Sequence, residues 1–147
     1  MEETQHIEKK SIRVITGLNP DWKSLAKDCV CFANARGGII CIGIEDDETL
    51  PPFNQKIEME LPARVRKRIA ESTVNVATHA QLTKAANGGE YIELKILPSD
   101  STIASTTDGR YYIRISNDCR PVLPDELSRL FTDKSAFNWE TKVARLV

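Results

Sequence analysis

A chain of 147 residues is the size of one domain and is long enough to bury a core. Its hydrophobic share of 41%, charged share of 28% and net charge of −1 exclude a disordered tail and a domain that is basic throughout, so any grip on nucleic acid must come from a local patch. No apolar run reaches the roughly 20 residues of a membrane span, and MEETQHIEKK lacks the apolar core of a signal peptide, which predicts a cytosolic protein with no membrane partner.

The first segment, Ile7 to Ile15, mixes Ile12, Val14 and Ile15 with Lys9, Lys10 and Arg13, a pattern that suits an outer strand. Asn19 as N-cap and Pro20 at the first helical position then open a helix that runs to about Ala35. Its apolar residues Trp22, Leu25, Ala26, Cys29, Val30 and Ala33 recur at helical spacing. Gly37 and Gly38 supply the stop, one of them in a left-handed conformation, with Asn34 placed to reach an acidic loop. Residues 39–44, including Gly43, read as a strand buried on both faces, and Glu45 to Glu48 crowd acid at its C-terminal end. Pro51 and Pro52 mark an exposed loop.

A second helix, from between Ile57 and Pro62 to about Ser72, repeats Ile57, Leu61, Val65 and Ile69 every four residues. Its polar side carries Arg64, Arg66 and Lys67, which read first as a solvated face and second as a phosphate contact; Arg68 lies near the apolar stripe, where a partly buried salt bridge is expected. Residues 74–82 and 90–97 form a hairpin, and a short strand at 102–105 turns at Thr107-Asp108-Gly109 into another. On that strand Tyr111, Ile113 and Ile115 share one face, while Arg110, Tyr112 and Arg114 share the other. This row of cations and an aromatic suits phosphates and bases, and it equally suits a plain exposed face. Pro124 opens a last short helix through Phe131. The pattern fades after it, so residues 1–135 are assigned to the domain and 136–147 to the start of a following, truncated element.

Three separated motifs carry a family resemblance: E-x4-E-x-K at Glu3, Glu8 and Lys10, FANARGG with its strand and GIEDD, and Y-x-R at Tyr112 and Arg114. In this order they resemble the Schlafen AlbA-type domain, a DNA-binding module of bacterial regulators related to animal Schlafen proteins; Ser116 stands where that family often has Gly. The resemblance implies an α/β (α+β) domain with a mixed sheet of about five to six strands and about three helices, set ahead of further regions in a longer protein. It also implies an alternative. In the family's nucleases an acidic trio matching Glu3, Glu8 and Asp46 cleaves RNA with a divalent metal, and three converging carboxylates would suit Mg²⁺ or Mn²⁺.

Other chemistry is weakly supported. No G-x4-G-K-[ST] loop is present, and His6 and His79 lack a nucleophile partner in any recognised motif. Cys29, Cys31, Cys41 and Cys119 sit mostly in apolar segments without C-x-x-C spacing, which predicts four reduced, packed thiols. The preferred reading is a nucleic-acid-binding module whose grip is weak and salt-dependent, through Arg110, Tyr112, Arg114 and Arg120 first, then Arg64, Arg66 and Lys67, with Lys10 as a further contact. A protein-interaction or homo-oligomerisation domain is the third reading, favoured by the near-neutral charge.

Overall fold

The computed structural model describes residues 6–134. Strand β1 (Ile7–Lys10) is followed by a 3-10 turn at Ile12–Val14, helix α1 (Trp22–Asn34) and strand β2 (Gly38–Ile42). Helix α2 (Leu61–Ser72) leads into β3 (Thr73–Val74), β4 (Thr78–Lys84) and β5 (Glu90–Ile96). Short strands β6 (Ser105–Thr106), β7 (Tyr112–Ile115) and β8 (Asp118–Pro121) follow, and a third helix, α3, occupies residues 124–134. The main sheet is mixed, in the order β1-β2-β5-β4, with β1 parallel to β2 and the other pairs antiparallel. β3 pairs with β6, and β7 with β8, as two further ladders. The fold is thus an α+β domain. No helix among the described residues is long and apolar enough to cross a membrane.

The register explains the core. Ile40 stands opposite Leu94 and Ile42 opposite Ile92, which brings four apolar side chains to one face of the sheet. Leu25, Cys29, Val30, Phe32 and Ala33 of α1 and Leu61, Val65 and Ile69 of α2 pack on that face. β2 is covered on its other face too, where Cys41, Ile44 and Tyr91 form a second small cluster.

Local details depart from the expectations. The outer strand stops at Lys10, and the 3-10 turn folds Ile12 and Val14 partly against the core. Helix α1 starts later than Asn19-Pro20 suggests: Asp21 is its N-cap, accepting a hydrogen bond from the Ser24 N–H at 3.1 Å, while the Asp21 N–H is held by the Val14 carbonyl at 2.8 Å. At the other end the Gly37 N–H returns to the Phe32 carbonyl at 2.8 Å, and Gly37 takes φ +74°. A Cβ there would lie 2.6 Å from the Ile96 carbonyl oxygen, so a side chain would add a clash to an unfavourable backbone conformation. Gly38 is needed for space alone, because a Cβ would enter the Phe32 ring and come 2.7 Å from the His6 carbonyl. Gly43, at φ +116°, lets the chain leave β2 beside Gln55, whose amide bonds the Gly43 and Glu90 carbonyls. Ser116 occupies the β7–β8 turn at φ +58°, a conformation Gly adopts without the Cβ penalty of about 1–2 kcal/mol.

Cys31 and Cys119 are joined in a disulfide, which corrects the expectation of four reduced thiols. Apolar setting is a good guide to Cys29 and Cys41, which stay thiols inside the core, but Cys119 is carried by β8 to within 5.7 Å (Cα to Cα) of Cys31 on α1. Burial pushes the Cys29 thiol up and the Cys41 thiol up to about 11, so neither is a ready nucleophile. Titration of the denatured, unreduced protein is expected to count two thiols; a count of four would remove the disulfide.

Candidate nucleic-acid interface

Two of the family's acidic positions can be placed: Glu8 lies on β1, and Asp46 follows β2, the strand that pairs with it. Glu8 and Lys10 alternate onto the same side of the strand, and each finds a partner of opposite charge. Lys10 Nζ lies 2.6 Å from Asp28 Oδ2 on α1. Desolvation pulls the Lys10 pKa down, but the Asp28 carboxylate, with smaller contributions from Glu8 and Asp46, more than offsets this and the net shift is upward. Glu8 Oε2 accepts a hydrogen bond from Arg114 Nη1 at 2.6 Å; the Arg114 side chain is only 1% exposed, and its guanidinium rests 4.4 Å from the centre of the Phe32 ring.

Lys9 points the other way. Its buried amine donates to the Asp46 and Glu48 carbonyls at 2.7 and 2.8 Å, tying the acidic loop after β2 to β1 and leaving the Asp46 side chain exposed. Glu3 lies outside the described residues. Among the described residues no three His, Cys, Asp or Glu side chains converge as a metal-binding group. Of the two described members of the trio, Glu8 is engaged by Arg114, and the Asp46 side chain is exposed.

The β7 row does not form as one solvent-facing strip. Arg114 turns inward to Glu8, so it is not available to a phosphate. Arg110 and Arg120 are exposed, but each is 3.4 Å from an acid of its own turn, Asp108 and Asp118. Tyr112 is half-buried; its carbonyl accepts a hydrogen bond from the Asn34 amide at 2.9 Å, and Lys27 Nζ sits 5.5 Å from its ring centre. Asn34 therefore braces β6 and β7 rather than the acidic loop: its amide also donates to the Ala104 carbonyl at 2.9 Å and its oxygen accepts the Ala104 N–H at 2.8 Å.

Helix α2 has the opposite character. Leu61, Val65 and Ile69 go into the core, so the helical period puts Arg64, Arg66, Lys67 and Arg68 in solvent. Among the described residues none of these four makes an ion pair with an acid. Arg68 has no salt bridge of the expected kind; its guanidinium lies 5.0 Å from the centre of the Trp22 ring on α1. That contact joins the basic side of α2 to α1, where Lys23 and Lys27 follow one another at i, i+4. Lys9, Lys23 and Lys27 were not singled out by the sequence motifs; the spacing of Lys23 and Lys27 on the helix that carries Trp22 is the signal that marks the last two.

A family model described as Schlafen, AlbA_2 matches residues 3–123. Among solved structures, the chain is similar to the DIP2311 protein from Corynebacterium diphtheriae, with a TM-score of 0.58 and 21% identity over 80% of this chain. The match spans 25% of that protein's chain, and at this identity the likeness is one of fold. No curated protein matches the sequence.

Proposed function

Because this chain belongs to the Schlafen, AlbA_2 family, we propose that it is a nucleic-acid-binding module of a larger protein. The observation that carries this reading is the set of four exposed cations on α2, free of acidic partners among the described residues, on a chain whose net charge is −1. Neutralising phosphates with such a patch releases condensed counterions, so binding is expected to weaken steeply with salt. The α2 face replaces the β7 row as the principal contact, since Arg114 is internal and Arg110 and Arg120 are locally paired. Few cations are involved, and the grip is expected to be modest.

Charge reversal on α2 tests it. Arg66→Glu with Lys67→Glu should weaken binding of a 30-residue oligonucleotide by roughly tenfold or more at about 50 mM salt, and should flatten the salt dependence by about one phosphate contact per residue changed. Both residues are exposed, so the melting temperature should barely move. Absence of binding by the parent domain at that salt would favour the protein-interaction reading. Cleavage of RNA in Mn²⁺, lost in Asp46→Ala, would instead put the metal-dependent ribonuclease first.

A further inference from the structure

Between the N-terminal half of α1 and the β6–β7 connection lies a groove of about 680 Å³, which Ser72 at the end of α2 also lines. That volume is within the range of about 300–1,000 Å³ typical of ligand sites. Trp22 and Tyr112 line it, and both rings are already faced by a cation: Arg68 over Trp22 and Lys27 over Tyr112. Lys23 and Lys27 line the same wall and have no acidic partner within ion-pair distance among the described residues. The two acids at the rim are internally engaged, Asp21 by the Ser24 N–H and Asp108 by the Thr106 hydroxyl and Arg110.

We propose that this groove seats one or two unpaired nucleotides of a single-stranded nucleic acid, with Lys23 and Lys27 on the phosphates, Lys27 ceding the ring face of Tyr112 to a base as it turns to a phosphate, and Trp22 as a second aromatic contact. The inference rests on the nucleic-acid reading of α2 and narrows it to a strand type. A phosphodiester chain with splayed bases enters such a concave site, where aromatic planes and fixed cations act together. A duplex, with its bases stacked inside, reaches only the rim and the α2 cations. Asp108 at the rim is turned to its own loop by the Thr106 hydroxyl and Arg110, so the groove's lysines are left to the strand. The chemistry that recognises the ligand is shared by DNA and RNA single strands, and separate arms distinguish them.

The test uses the whole chain with Trp139, its other tryptophan, changed to Phe, so that emission reports on Trp22. Fluorescent 15-residue oligo-dT, oligo-U and a 15-base-pair duplex are titrated at about 50 mM salt. At least one single strand should bind roughly tenfold tighter than the duplex and quench Trp22 emission. The Lys23→Glu, Lys27→Glu variant should lose most of that preference while keeping its duplex binding, because α2 is unchanged. Equal binding of single strand and duplex, with no quenching and no effect of the variant, overturns the groove assignment and leaves the α2 reading standing. Failure of every oligonucleotide to bind overturns both.

Discussion

Arg114→Ala is expected to lower the free energy of unfolding by about 3–5 kcal/mol, the range seen when one member of a buried ion pair is removed. Arg114 is 106 residues from Glu8 in sequence and is the side chain through which β7 reaches β1. Its loss leaves the Glu8 carboxylate, 15% exposed, without the 2.6 Å donor, removes a guanidinium from the Phe32 ring, and opens space in the packing of β7 on α1. Denaturant unfolding measures the effect directly. A Glu8→Gln, Arg114→Ala double variant that is less destabilised than the sum of its singles would assign the loss to the pair, and a single-variant change under about 1 kcal/mol would dismiss it.

Asn34→Ala should cost about 3 kcal/mol or more. Three hydrogen bonds of 2.8–2.9 Å end on this one buried side chain, and their partners are the Ala104 N–H, the Ala104 carbonyl and the Tyr112 carbonyl. Alanine would orphan backbone groups at the junction of β6 and β7, each costing about 1–3 kcal/mol unless water enters. The loss should appear as a lower denaturant midpoint, with the Tyr112 wall of the groove loosened. Asn34→Asp tests the mechanism, since it keeps the shape and one acceptor but loses the amide donor; stability equal to the parent would mean that the two donated bonds contribute nothing.

The elements legible in sequence were those whose signals are local. Val65 and Ile69 marked the buried side of α2, the run from Ile39 marked a strand covered on both faces, and the pair Gly37-Gly38 marked the helix stop, with Gly37 taking the left-handed conformation, because period and backbone freedom are properties of neighbouring residues. The misses were contests settled at long range. Asn19 and Asp21 are both good caps, and the Val14 carbonyl decided for Asp21. Strand alternation put Arg114 beside Arg110, whereas Phe32 and Glu8 draw its side chain inward. The β3–β6 ladder is two residues long on each side and carries no periodicity. Of the candidate site, the α2 cations could be read from the helical wheel; the groove could not, since it is assembled from α1, the end of α2 and β7.

The link between Cys31 and Cys119 also changes how the domain would carry mechanical load. Tension applied between Ile7 and Lys134 would pass from α1 to β8 through the sulfur atoms and bypass the chain between them. A sequence separation of 88 at roughly 3.3–3.6 Å per residue would keep nearly 300 Å of contour length from being extended. β2, α2, β4 and β5 all lie within that protected span. A pull on the oxidised domain would peel away β1, the turn after it, most of α1, the end of β8 and α3, but the rest of the sheet would remain a closed loop that force at the ends cannot draw out.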